Sequence, residues 1–215
     1  MKKYKLVIFD CDGTLVDSEP LTNGLIATMI QEHGISISAA ECIDRFAGKT
    51  LMQITDFIKE QQNDLDEKKF ESEFRRRCID VFHAELTAIP GVVDLVESLS
   101  IQYCVASNGP LEKMDVTLPA AGLDRFFTKG NIFSAYQIQK WKPEPDLFLY
   151  AAQQMGIDPE ECLVIEDTWS GAMGAVNAGI DVMVYNPHYD HRVYIDRVPN
   201  FYSMASIRGE ILSYI

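Results

Sequence analysis

The sequence predicts an α/β protein in which a parallel sheet with flanking helices is interrupted, after its first strand, by a helical insertion. Three observations carry that prediction. Short apolar runs end abruptly in polar clusters at Asp10, Ser107 and Glu166, the pattern of buried strands whose carboxyl ends open into a crevice. Between the first and second runs the apolar spacing changes from strand-like to helical. The chain has 215 residues with 47% hydrophobic content, enough to bury a full core as one domain with an insertion or as two small domains. The expected division is a sheet-bearing domain of residues 1–17 and 88–215 and a helical domain of residues 18–87.

The first run, Lys5-Leu6-Val7-Ile8-Phe9, stops at Asp10-Cys11-Asp12-Gly13-Thr14. Side chains alternate along a strand, so Asp10 and Asp12 point the same way and Cys11 points away. Two carboxylates in one small site need a cation between them or a proton on one of them. A hard, oxygen-seeking ion such as Mg2+ suits the first case. Taken alone, the motif reads equally as a solvated Asp-x-Asp-Gly turn.

The insertion has three apolar faces at helical spacing. They are Leu21, Leu25, Met29 and Ile30; Leu51, Ile54, Phe57 and Ile58; and Phe70, Phe74, Cys78, Val81 and Phe82. Ser18-Glu19-Pro20 and Ile89-Pro90-Gly91 are the expected hinges. Within the insertion, Phe46-Ala47-Gly48-Lys49-Thr50 is the break expected to face a substrate. Gly48 would permit a tight turn there, and Lys49 would meet an anionic or hydroxyl-rich group; an exposed lysine beside a C-cap glycine fits the same residues. Arg75-Arg76-Arg77 sits in a Glu-rich helical pattern and reads as a solvated face.

The second run, Tyr103-Cys104-Val105-Ala106, ends in Ser107-Asn108-Gly109-Pro110, a neutral donor cluster suited to phosphate oxygens. In Lys140-Trp141-Lys142-Pro143-Glu144-Pro145 two prolines stiffen the backbone beside Lys142. One lysine among several acids can neutralise an attacking carboxylate and a bound phosphate together. The third run, Leu163-Val164-Ile165, ends in Glu166-Asp167, a further acidic pair suited to the same divalent ion. Gly171-Ala172-Met173-Gly174 hints at a dinucleotide fingerprint but lacks the glycine-first turn, so close packing of a helix is expected instead. His188-Tyr189-Asp190-His191 has no further ligand nearby and reads as a solvated loop. Trp169 would sit beside the entrance or in the core.

A formal net charge of −13 argues against nucleic acid as a partner, because binding a phosphate backbone needs clustered Lys and Arg. Met1-Lys2-Lys3 is like the start of a signal peptide, but the apolar run ends at Asp10, too soon for an h-region. No stretch approaches the length of a membrane span. The five cysteines are scattered, without C-x-x-C spacing, and are expected to be reduced, buried thiols of a cytoplasmic protein.

In order along the chain, Asp10-x-Asp12-Gly13-Thr14, Ser107-Asn108, Lys142 and Glu166-Asp167 resemble the four motifs of the haloacid dehalogenase (HAD) superfamily of phosphatases, across the whole chain. The resemblance implies a Rossmann-like core with a helical cap. It implies Asp10 as nucleophile, Asp12 as general acid and base, and Ser107 and Lys142 as holders of the phosphate. Mg2+ would be held by Asp10, the Asp12 backbone carbonyl and Asp167, with Glu166 as a further candidate ligand. Gly13, Asn108, Gly48 and Lys49 are the candidate substrate contacts. The expected activity is Mg2+-dependent hydrolysis of a small phosphomonoester, a sugar or sugar-acid phosphate, through an aspartyl-phosphate.

Asp12 sets the chain apart from the dehalogenases, which lack the second acid, and from phosphonate hydrolases, which also differ there. The β-phosphoglucomutase branch shares the motifs and the cap type but carries a histidine where this sequence has Thr22. A sugar phosphomutase is therefore the alternative reading, with a catalytically silent regulatory module as a third. Ser107 through Lys113-Met114, with residues 136–143, is similar to bacterial sugar-phosphate phosphatases acting on 6-phosphogluconate. The expected partner is a small phosphorylated metabolite, with no nucleic acid and no membrane, for a monomer or weak homo-oligomer.

Overall fold

The computed structural model describes residues 4–46, 49–62, 64–188 and 190–215. In chain order the elements are β1 (Leu6–Phe9), α1 (Glu19–Glu32), α2 (Ala39–Phe46), α3 (Leu51–Gln61), α4 (Glu67–Glu85), α5 (Val92–Ser98) and β2 (Gln102–Ser107). They continue as α6 (Leu111–Ala120), β3 (Ile132–Ser134), α7 (Ala135–Ile138), α8 (Asp146–Met155), β4 (Cys162–Glu166), α9 (Trp169–Asn177), β5 (Asp181–Tyr185), β6 (Asn200–Phe201) and α10 (Met204–Ile211). The chain divides into two compact units, Met1–Asp17 with Thr87–Ile215, and Ser18–Leu86.

The first unit is an α/β fold around one parallel sheet in the order β3-β2-β1-β4-β5-β6. β1 is apolar at every position because both of its faces are covered, and Leu6, Val7, Ile8 and Phe9 are all fully buried. It lies between β2 and β4, where the strand order reverses and ligands of such sheets bind. Phe9 is in register with Val105 on one side and Ile165 on the other. Asp10 therefore falls at the carboxyl edge of the sheet, where its N–H donates to the Ile165 carbonyl at 2.9 Å.

Leu147, Phe148, Ala151 and Ala152 of α8 and Ala172 and Ala175 of α9 join Leu6, Ile8, Cys104 and Val164 in one buried cluster. A methyl group added at Gly174 would lie 3.2 Å from the Phe148 ring. That glycine serves the close approach of α8 and α9 and not a dinucleotide.

The second unit is a four-helix bundle. Ile26, Met29 and Ile30 of α1 pack with Cys42 and Phe46 of α2, Ile54 and Ile58 of α3 and Phe70 of α4. The inward face of α1 is centred one residue beyond the expected one, with Ile26 buried and Leu21 and Leu25 only partly so. A capping box between Thr50 and Gln53 starts α3, and the Asp66 carboxylate caps α4. Arg75, Arg76 and Arg77 all lie on α4 and pair with Glu71, Glu73, Asp80 and Glu32, a largely solvated network of the kind worth little individually.

The two crossings between units lie side by side in the first unit. The Asp17 N–H donates to the Thr87 carbonyl at 3.0 Å, and the Ile89 N–H to the Leu15 carbonyl at 2.9 Å. These bonds place Thr87 with the sheet and not with the insertion. At the expected second hinge, Gly91, at φ 88°, caps α5. Among the described residues no helix is long and apolar enough to cross a membrane.

Candidate active site

The carboxyl end of β1 carries Asp10, 7% exposed. Its Oδ1 accepts a hydrogen bond from Lys142 Nζ. The same ammonium donates to Glu166 Oε1 at 2.8 Å and lies 4.9 Å from the centre of the Phe148 ring. Lys142 is reached from a loop, and the Asn108 side chain holds it there by accepting the Lys142 backbone N–H at 2.9 Å. Asn108 thus positions the lysine through its Oδ1. Ser107, at the end of β2, is buried, and its Oγ accepts the Gly109 N–H at 3.0 Å, while Ser134 Oγ donates to the Gly109 carbonyl.

Glu166, a candidate metal ligand, is engaged by protein partners through both carboxylate oxygens. Oε1 accepts from Lys142, and Oε2 accepts the Thr168 N–H at 2.6 Å and the Thr168 hydroxyl at 2.8 Å. Glu166 thereby anchors the lysine to the start of α9. Asp167, the next residue, turns the other way, towards the first loop. Its Oδ1 accepts the Thr14 hydroxyl at 2.8 Å.

Gly13 was expected to meet substrate. At φ 83°, its backbone is in the region that favours glycine, and a methyl group there would lie 2.2 Å from Asp167 Oδ2. Its N–H donates to the Val16 carbonyl. The residue makes room for Asp167 and has no backbone donor to spare for a ligand.

Asp12 Oδ1 pairs with Lys113 Nζ at 2.7 Å, with side chains 27% and 35% exposed. Cys11 between the two acids faces inward, fully buried, with its sulfur 3.9 Å from Thr117 Oγ1. Lys113 had been given no role from the sequence. A signal was present: it stands in the first turn of α6, where the helix dipole disfavours a cation, so a partner outside the helix had to hold it.

Burial pushes the Asp10 carboxyl up to about 7; Lys142 opposes that rise, and Glu166 and Asp12 add to it. Burial alone would lower the Lys142 ammonium, but Asp10 and Glu166 outweigh it and hold the group above its ordinary value. Lys113 behaves likewise, with Asp12 outweighing burial. The Asp10, Lys142 and Glu166 cluster thus holds two carboxylates against one ammonium, a deficit that a divalent cation beside Asp10 suits. Among the described residues no group of three or more His, Cys, Asp or Glu side chains forms a ligand set. An ion here would draw on Asp10, Asp167, a backbone carbonyl, water and phosphate oxygens, the hard and partly hydrated set that Mg2+ prefers.

Of the remaining candidates, Lys49 is exposed in the second unit, with its N–H on the Phe46 carbonyl. Gly48 lies outside the described residues. Trp169, at 47% exposure, is not a core residue. His188 and His191 are exposed, and Tyr189 between them is outside the described residues.

A family model, the haloacid dehalogenase-like hydrolases, matches residues 4–179. The chain is 36% identical over 191 residues to the 6-phosphogluconate phosphatase of Escherichia coli, covering 87% of this chain and 86% of that protein. It is 30% identical over 194 residues to hexitol phosphatase A of the same organism, with the same two coverages. A crystal structure of a haloacid dehalogenase-like protein from Agrobacterium tumefaciens superposes with a TM-score of 0.84 at 28% identity, covering 98% of each chain. With a family match spanning residues 4–179 and a relative 36% identical over most of both chains, the chain belongs to the haloacid dehalogenase-like hydrolases.

Proposed function

We infer that this chain is a phosphoric monoester hydrolase acting on a sugar or sugar-acid phosphate, with 6-phosphogluconate as the leading candidate. One observation carries the chemistry: a buried carboxylate, Asp10, held by a buried ammonium at the open end of the central strand, with a second, less buried acid two residues on. Phosphoryl transfer asks a protein mainly for positioning and charge neutralisation. Lys142 supplies one positive charge, and Ser107 stands at the adjoining strand end.

Asp10 attacks phosphorus, so that a carboxylate-oxygen-to-phosphorus bond forms as the ester P–O bond breaks. The leaving alkoxide takes the proton of Asp12. Water then attacks the aspartyl-phosphate, Asp12 accepts its proton, and inorganic phosphate leaves Asp10 free. Mg2+, held by Asp10, the Asp12 backbone carbonyl and Asp167, would neutralise negative charge on the phosphate oxygens.

Thr22 supports hydrolysis over phosphoryl return to a sugar. It occupies the place where the mutase branch keeps a histidine, and its hydroxyl donates to the Ser18 carbonyl of its own helix start at 2.8 Å. The names of the E. coli relatives support a sugar-acid or polyol phosphate as substrate. Five buried cysteines, none of them in a disulfide, support a cytoplasmic setting.

The test is phosphate release from a panel of phosphorylated metabolites with Mg2+, including 6-phosphogluconate, hexitol phosphates and glucose 1-phosphate with a trace of the bisphosphate. Free phosphate from sugar or sugar-acid phosphates is expected. Interconversion of hexose phosphates without phosphate release would replace this reading with the mutase.

A further inference from the structure

We propose that Gly171 is a positioning residue for Lys142, acting through Glu166, and that the absence of a side chain at 171 is what allows the lysine to reach Asp10. The proposal rests on the reading of Lys142 as the cation that holds nucleophile and phosphate. The Glu166 carboxylate lies directly over the first turn of α9. A methyl group at 171 would lie 1.7 Å from Glu166 Oε1, 1.9 Å from its carboxyl carbon and 2.6 Å from Cγ. No side chain can be accommodated at such distances, so one of the two must move.

Glu166 has nowhere to go without loss. It is 1% exposed, Lys142 holds Oε1, and the Thr168 N–H and hydroxyl hold Oε2. Thr168 is itself fixed as the cap of α9, its Oγ1 accepting the Gly171 N–H at 3.1 Å. Glycine 171 therefore closes a loop of contacts from the helix start to the carboxylate, to the ammonium and to Asp10. Displacing the carboxylate would leave Lys142 with Asp10 alone and let the ammonium drift from the place where it serves the transferring phosphate.

A glycine serving only the helix predicts the opposite response. The backbone at 171 is not in the left-handed region, and alanine there should favour a helix. Gly171→Ala should nevertheless lower the thermal midpoint. It should also cut kcat by about 100-fold with a much smaller change in KM, since the lost contact is one realised in the transition state.

The deciding variant is Glu166→Asp, which withdraws the carboxylate by one methylene. Glu166→Asp draws the carboxylate back from Lys142 and from position 171 alike, so adding Gly171→Ala to it should cost little more: the double variant should lie within a few-fold of Glu166→Asp alone in kcat and close to it in thermal midpoint. Additive losses in both, or a Gly171→Ala protein as active and at least as stable as the parent, would overturn the proposal. The thermal coupling between 166 and 171 reads the steric contact without any substrate. A parent protein that releases no phosphate from any ester would sink the hydrolase reading while leaving this contact to be judged on stability.

Discussion

Asp10 and Asp12 stand two residues apart on one loop, and each holds a lysine, yet the two pairs are physically unlike. The side chains of Asp10 and Lys142 are 9% and 2% exposed, and the ammonium is shared with a buried Glu166. Those of Asp12 and Lys113 are 27% and 35% exposed. Between dry charges the Coulomb attraction is strong but desolvation is costly, so a buried pair is a rigid fixture that is damaging to break. A partly exposed pair is worth less and separates more readily. The difference suits two duties. A nucleophile must be held aimed, with Lys142 opposing the burial that favours its protonation, whereas a group that gives up a proton and takes one back must change state within each cycle.

The largest effect should come from removing the nucleophile at the centre of the deep pair. Asp10→Asn should lower phosphate release by about 10,000-fold or more, because an amide forms no acyl phosphate. Turnover near the parent rate would break the comparison at its root. Chelation should be nearly as severe: dialysis against EDTA stops the reaction and added Mg2+ restores it, with Ca2+ a poor substitute because it tolerates a looser, larger oxygen shell. An unchanged rate after chelation would mean that Lys142 alone neutralises the site.

Next in size is the contrast between the two lysines. Lys142→Met keeps most of the side-chain bulk but leaves Asp10 and Glu166 uncompensated. It should cost on the order of 1,000-fold in kcat and about 3 kcal/mol in unfolding stability by denaturant titration. Lys113→Met should be the mildest, roughly 10-fold in kcat and about 1 kcal/mol or less in stability. Equal penalties in the two variants would show that burial does not separate the pairs.

The sites that could be read from the sequence were those defined by a strand end. Asp10, Ser107 and Asp167 each follow a short apolar run, and alternation along the strand put Cys11 on the inner side, where it packs beside Thr117. Applied to Glu166 and Asp167, the same alternation sends consecutive side chains to different neighbours. Their adjacency in sequence did not reveal this: the structure sends one to Lys142 and the other to Thr14. Gly13 was legible as a turn residue, but its use, making room for a carboxylate 154 positions away in the chain, was not.

The α/β class, the helical character of the insertion and the residue types at the strand ends are legible along the chain, because burial on both faces of a strand and one face of a helix leaves a local periodic trace. The placing of β1 between β2 and β4, the return crossing through Thr87 and the sharing of Lys142 between Asp10 and Glu166 emerge from three-dimensional packing alone. Those outcomes depend on contacts between residues far apart in the chain, 132 positions for Lys142 and Asp10. Partner choice at that separation is set by strand order and by the cost of leaving a buried charge unpaired, neither of which writes a pattern into neighbouring residues.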